Sequence, residues 1–496
     1  MNLNKTEVLK NEEKASKMKL SEEEIYKAQE KAYKLERKKQ YQNRVRLVFT
    51  RVCLLAMLLI FSTYAWFTSQ KDITLSNIRG VVEVAENMEI SLDAKTWYQR
   101  IDLSNAPFTF SNAQTSRDQS LGEASSDTKV ILDGVYSHTG SNSPYFNREG
   151  AFDSVGAYNS KESPYYSWYT FHNWPGSYNS WWGFDTLPTV NKMDPAFIKY
   201  IISDEDSVLA HWMKLGADGY RLDVADELPD EFIKLIRDRI KEINPDAYLL
   251  GEVWEDASNK TAYGQRRRYF TNGELDSVMN YPFRTAILNF VRGFDSGRGL
   301  KETVMSIVEN YPQEVVHCNM NLLGTHDTPR ILTALVDDFE GNREEQSRRH
   351  LSRNQFNVAL DRLLMASFLQ YTLPGSPSLY YGDEAGMEGY RDPFNRRPYP
   401  WGREDPEFMT HFQRLGQLRK EFPALRLGDI RFFEAANKHI GFTRSYQGRT
   451  FRIYCNRSAD PWEIPTHRLY FGVNMKTIAR DHLVIGPRGF CITEEL

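Results

Sequence analysis

The chain has 496 residues, a formal net charge of -4 and 41% hydrophobic residues. Its length allows roughly two to four domains and its apolar content is ample for a buried core. The small net charge, without a basic patch interleaved with aromatics, argues against a nucleic-acid or polyanion partner. The four Cys, at 53, 318, 455 and 491, are too widely spaced for a disulfide framework or a metal motif, and no phosphate-cradling Gly-rich loop follows a strand.

Residues 1–44 are polar and rich in Lys and Glu, with Glu–Lys pairs at helical spacing, and read as a charged helical or disordered arm. In residues 45–67, Arg46 and Arg51 lead into Val52–Tyr64, an apolar run shorter than the roughly 20 residues that a spanning helix needs. A basic flank, a short apolar run and small residues at Ser62, Thr63 and Ala65 read as a secretory signal, with an uncleaved membrane anchor as the alternative. TYAWFTSQKDIT also resembles the signal region of Gram-positive exported proteins, which implies cleavage near Ala65. Both readings place the bulk of the chain outside the cytoplasm. Residues 68–110 then read as a short β-rich segment and 111–128, rich in Ser, Asp, Gln and Thr, as a linker.

From Lys129 the pattern changes. Lys129–Val135 (KVILDGV) behaves like a buried strand, and residues 129–404 form one organised region interrupted at 141–193 by an aromatic-rich insertion. Most rings of that insertion, among them Phe146, Trp168 and Tyr169, are expected to be the core of a small unit with little aliphatic content. Residues 216–256 read strand, helix, strand: the apolar runs Tyr220–Val224 and Tyr248–Leu250 flank Phe232, Leu235, Ile236, Ile240 and Ile243 at helical spacing. Each strand delivers a carboxylate where its apolar run ends, Asp223 on the first and Glu252 on the second. In a parallel barrel both project at the C-terminal face. Strand-end carboxylates are often only solvated or capping groups. A third run, Met320–Arg330 (MNLLGTHDTPR), again ends in polar residues, His326 and Asp327, and favours a shared site. Residues 405–496 read as one helix, HFQRLGQLRKEF, followed by alternating runs such as DIRFFEA, HIGFTRSY and RTFRIYCN, the pattern of an antiparallel β domain.

These motifs carry a family resemblance. GYRLDVADE, GEVWEDA and LLGTHDTPR resemble the second, third and fourth conserved regions of the α-amylase superfamily of glycoside hydrolases. ILDGVYSHTG (131–140) resembles the first region and LPTVN (187–191) the fifth, and WWGFDTLPTVN is most similar to the neopullulanase, cyclomaltodextrinase and maltogenic amylase branch. GSPSLYYGDE (375–384) resembles the eighth barrel strand and NRRPYPW (395–401) a loop that shapes the substrate face. The implied fold is α/β: an incomplete (β/α)8 TIM barrel holding strands three to eight, with a small inserted domain and a C-terminal antiparallel β domain. By this resemblance the strands fall at Lys129–Val135, Gly219–Val224, Tyr248–Val253, Asp276–Tyr281, Asn319–Gly324 and Ser378–Tyr381. Nothing before Lys129 resembles the first two strand–helix units. A fused or shortened gene product, a patch formed by the β-rich segment, and a second chain each account for the gap.

The resemblance also implies a chemistry. A retaining glycosidase needs one carboxylate as nucleophile and one carboxylic acid to protonate the leaving oxygen. Asp223 takes the first role, Glu252 the second, and Asp327 holds sugar hydroxyls and favours the distorted ring. Arg221, two residues before Asp223 and on the same strand face, keeps that carboxylate ionised. Glu252 has to be shifted upward to keep its proton near neutral pH. His138, His326, Trp182 and Trp254 are the further substrate contacts. The implied activity is hydrolysis of α-glucosidic bonds in starch-derived oligosaccharides, pullulan or cyclodextrins. A non-catalytic, surface or fibre-associated glucan-binding chain with a degenerate barrel, and a glucosyltransferase of the same fold, are the rival readings. No cofactor is implied; some relatives hold calcium, but Ser137 stands where the family has an Asn ligand. The expected partner is an α-glucan oligosaccharide, and a homo-oligomer is compatible with the branch.

Overall fold

The computed structural model describes residues 81–83, 100–102, 129–465, 468–479 and 482–494. It divides into two units, residues 1–108 and 109–496. In the first, strands Val81–Glu83 and Arg100–Asp102 pair antiparallel, with Val82 opposite Ile101. The charged arm, the signal-like run with Cys53, and the linker 111–128 lie outside the described residues.

Among the described residues of the second unit there are six parallel strands: β1 (Ile131–Gly134), β2 (Gly219–Leu222), β3 (Tyr248–Gly251), β4 (Ser277–Val278), β5 (Met320–Leu322) and β6 (Ser376–Ser378). The first four form one sheet in chain order, β5 pairs with β6, and a parallel bridge between Met279 and Met320 joins the two sets. Among the described residues these take the places expected for strands three to eight of an eight-strand plan. Among the described residues β1 pairs only with β2 and β6 only with β5. The inner side chains Ile131, Asp133, Arg221, Leu250, Met279 and Met320 line a cavity of about 640 Å³ inside the curve of the sheet.

Local chemistry explains the spacing. A Cβ added at Gly219 would lie 1.9 Å from the Tyr248 carbonyl oxygen, so glycine there lets β2 and β3 pair. Between them runs helix α1 (Asp230–Ile243), with Asp230 and Glu231 in its first turn, where negative charge complements the helix dipole. Phe232, Ile233, Ile236 and Ile240 are buried beneath it, while Leu235, expected on the same face, is exposed.

All six strands are shorter than their expected spans or shifted from them. β2 stops at Leu222 because Val224 turns into the left-handed region, φ 38° and ψ 67°. β4 stops at Val278 because Asn280 caps helix α2 (Tyr281–Arg292), its side chain accepting from Phe283 N–H, and Pro282 opens that helix. β6 falls at Ser376–Ser378, so Tyr380 and Tyr381 lie beyond it, where both rings meet the buried Arg330 guanidinium at 4.2 and 4.5 Å.

In the insertion, Phe146 is fully buried with the rings of Tyr158, Tyr169, Phe171 and Tyr178 between 4.7 and 5.9 Å away. Helix α3 (Arg353–Thr372) starts in a Ser352–Gln355 capping box and is buried through its second half. It lies between the barrel and a C-terminal antiparallel sheet of six strands, β7 (Asp429–Ala435), β8 (His439–Tyr446), β9 (Arg449–Asn456), β10 (Trp462–Pro465), β11 (Arg468–Ala479) and β12 (His482–Glu494). Phe368 meets Phe490 at 4.5 Å, which makes the barrel and the sheet share one core. The fully buried Arg444 fastens that joint, donating to Thr372 O at 2.6 Å and Gly428 O at 2.9 Å; burial lowers its pKa to about 9.

Candidate active site at the strand ends

Asp223 and Glu252 each follow directly on a strand, β2 and β3, whose pairing in register carries both to the same end of the sheet. Between them stands Arg221, nearly buried. Its guanidinium lies 2.8 Å from Asp223 Oδ1, 2.7 Å from Glu252 Oε2 and 2.7 Å from Asp133 Oδ1. Burial alone would lower the Arg221 pKa, but Glu252, Asp133 and Asp223 together hold it above the ordinary arginine value. One cation thus holds three carboxylates.

Glu252 is only 4% exposed. Its Oε2 accepts from Val224 N–H at 2.9 Å and its Oε1 from Trp254 Nε1–H at 3.1 Å. The left-handed turn at Val224, unusual for a β-branched residue, aims that N–H at the carboxylate. Burial raises the Glu252 pKa, Arg221 and the Val224 N–H oppose the rise, and the charges of Asp223 and Asp327 add to it. The net shift is upward, which favours a carboxyl that keeps its proton.

Asp327 lies in the turn after β5, its N–H donating to Thr325 Oγ1 at 3.2 Å. His326 Nε2 is 3.1 Å from Asp327 Oδ2, and Arg396 Nη2 is 3.6 Å from Asp327 Oδ1. His138 contacts Ser137 Oγ through Nδ1 at 2.8 Å and stacks near Trp181 at 5.1 Å. Burial lowers its pKa below the ordinary histidine value, and Asp223 pulls the other way. Ser137 itself is fully buried.

The two tryptophans sit at the rim. Trp254 stacks on Tyr281 with centroids 3.9 Å apart and is half-exposed. Trp182 is 68% exposed, has a left-handed backbone (φ 50°) and stacks on Trp181 at 4.4 Å. Its Nε1–H donates to Glu227 Oε1 at 3.0 Å, and the Tyr263 hydroxyl donates to the same oxygen. Of the eight residues singled out in the sequence, Asp223, Arg221, Glu252 and Trp254 touch one after another. His326 and Asp327 form a second group, with His326 lining the same cavity as Arg221. His138 and Trp182 form a third through Trp181, tied to the first by the charge of Asp223 acting on His138.

Four residues not singled out in the sequence contact them: Asp133 pairs with Arg221, Tyr281 stacks on Trp254, Glu227 accepts from Trp182 and Arg396 lies beside Asp327. For Asp133 the signal was present: it stands two residues after Ile131 in β1, and both face the cavity. Among the described residues no group of three or more His, Cys, Asp or Glu is placed to hold a metal ion.

A parallel barrel with acidic residues following three of its strands at one end defines a (β/α)8-class protein whose site is built for carboxylate chemistry. Residues 109–423, more than half of the chain, match the family model described as alpha amylase, catalytic domain, and the chain belongs to that family. It is 37% identical over 349 residues to an amylopullulanase of Thermoanaerobacter thermohydrosulfuricus, an alignment covering 64% of this chain and 22% of that protein. A cyclomaltodextrinase of Geobacillus thermopakistaniensis is 31% identical, over 68% of this chain and 52% of its own length. The chain thus spans about half, or less, of these curated relatives. The solved debranching enzyme of Nostoc punctiforme superposes with a TM-score of 0.62 at 26% identity, covering 75% of this chain and 76% of its own.

Proposed function

We propose that the chain is an α-glucan glycosidase acting by retaining double displacement on starch-derived oligosaccharides, pullulan or cyclodextrins. The printed names of its relatives, an amylopullulanase and a cyclomaltodextrinase, support the substrate class. The observation that carries the mechanism is the unequal environment of two carboxylates sharing Arg221. Asp223, kept beside the guanidinium, attacks the anomeric carbon. Glu252, whose pKa is raised by burial, gives its proton to the leaving oxygen and then takes one from water. Asp327, with His326, holds hydroxyls of the sugar in the cleavage subsite and favours the flattened ring. His138, neutral because its pKa is lowered, donates a hydrogen bond without adding charge beside Asp223. Trp254 and Trp182 offer ring faces to flanking sugars.

The basic-flanked apolar run at 52–64 supports an extracellular or membrane-attached location. Among the described residues no helix is long and apolar enough to cross a membrane.

The test is hydrolysis of maltotriose, pullulan and β-cyclodextrin by the full chain and by Asp223→Asn. The proposal expects turnover by the first and at least a thousandfold loss in the second at an unchanged melting temperature. Comparable turnover by both proteins would overturn the site assignment.

A further inference from the structure

Where the C-terminal end of α2 meets α3, the turn after β9 and strand β12, four arginines surround a second cavity of about 190 Å³. Arg292, Arg362, Arg457 and Arg488 line it together with Val291, Met365 and the single carboxylate Asp361. No residue of this cavity lines the one that holds Arg221 and Asp133.

Like charges brought together need compensation, and here it is partial. Arg488 pairs with Asp361 at 2.7 Å, and Arg292 pairs with Asp338 through both its terminal nitrogens, the Nη1 contact at 2.7 Å. Asp338 is largely exposed and does not line the cavity. Arg362 donates from Nη1 to the Leu335 carbonyl, and Arg457 donates from Nη2 to Asn437 O at 2.6 Å. Among the described residues neither makes an ion pair; Asp295 acts on Arg457 only at longer range. Arg292 Nε and Arg457 Nε are buried without an acceptor. A buried donor left unmatched costs about 1–3 kcal/mol, and two of them beside one cavity describe a place that lacks an acceptor.

The electrostatics agree. Burial lowers the Arg362 pKa, and Arg292, Arg488 and Arg457 each lower it further, with no carboxylate acting in the opposite direction. Arg488 stands in β12 with a left-handed backbone, φ 54°, and its N–H donates to Ser458 O at 3.1 Å, which ties it to the turn after β9.

We propose that this pocket binds a small tetrahedral oxyanion of the phosphate class, whose oxygens accept from Arg362, Arg457 and Arg292. Guanidinium forks match such oxygens, and charge-assisted hydrogen bonds of this kind are about twice as strong as neutral ones. The bound anion ties the barrel helices α2 and α3 to the turn after β9 and to β12.

The test uses the full chain and two probes, inorganic phosphate and glucose 1-phosphate, titrated calorimetrically at constant ionic strength with chloride as the control anion. We expect saturable one-site binding of inorganic phosphate, a rise in melting temperature with phosphate that chloride does not produce, and at least tenfold weaker binding in Arg362→Met. Binding of both probes identifies the phosphate group of a sugar ester as the ligand; binding of inorganic phosphate alone identifies the free anion. Arg362→Lys, which keeps the charge, restores part of the affinity and guards against a folding defect in the methionine variant. Absence of saturable binding to the unmodified chain overturns the proposal. So does equal affinity in Arg362→Met.

Discussion

Replacing Arg221 by Gln changes the acid of the proposed mechanism without touching it. The guanidinium lies 2.7 Å from Glu252 Oε2, and both side chains are shielded from water. With charge centres about 4 Å apart and an effective dielectric near 20, the lost attraction is about 4 kcal/mol. The glutamine amide returns only part of this, through a hydrogen bond of about 1–1.5 kcal/mol, so the Glu252 pKa rises further. The protonated carboxyl is the active form, and kcat/KM falls as pH climbs through its pKa. Removing a group that lowers that pKa therefore moves the alkaline fall of the profile to higher pH. The height of the profile drops as well, because Asp223 loses the contact that orients it. The assay is kcat/KM for maltotriose against pH for both proteins. An alkaline limb that stays in place would show that Glu252 is not the titrating acid, or that Arg221 does not govern it.

Other substitutions separate chemistry from scaffold. Glu252→Gln cannot donate the proton, so maltotriose hydrolysis should fall by about 10²–10⁴, whereas aryl maltosides with good leaving groups should lose much less in their first step; equal losses on both would contradict the acid role. Trp182→Ala removes an exposed ring on a left-handed backbone. Its melting point should stay put, while KM for long maltooligosaccharides rises by the roughly two- to twelvefold that a stacking contact of about 0.5–1.5 kcal/mol supplies; an unchanged KM would remove Trp182 from the binding face. Phe146→Ala empties the centre of the insertion's aromatic core and should cost about 3–5 kcal/mol in a denaturant titration; a loss below 1 kcal/mol would mean that the cluster collapses around the gap.

How far the sequence foretells this structure depends on how local each cause is. The strand-end carboxylates were legible because an apolar run followed by Asp or Glu is a local pattern, and β2 and β3 pair in register as neighbours. The C-terminal sheet was legible for the same reason, its alternation being written into Asp429–Ala435 and His439–Tyr446. Val224 was not, because a β-branched residue favours the extended backbone, while its left-handed turn is held by contacts formed only in the fold: its N–H to the Glu252 carboxylate and the Ala225 N–H to the Glu252 carbonyl. Asp133 carried a local signal in its place on β1, but its partner Arg221, 88 residues away in the chain, is brought to it only by the pairing of β1 with β2. Helix α3 carries little amphipathic signal, since it is covered by the barrel on one side and by the C-terminal sheet on the other. The arginine pocket gathers residues from four separate segments, none of which forms a motif by itself.

The central claim is that Asp223 forms a covalent glycosyl intermediate on this six-stranded scaffold. A 5-fluoro-α-glycosyl fluoride traps such an intermediate, and peptide mass spectrometry of the labelled full chain locates it. The account predicts one sugar per chain, attached to the peptide containing Asp223 and absent from Asp223→Asn. A label on Glu252 or Asp327 would contradict it, as would hydrolysis of the reagent with no label on any carboxylate.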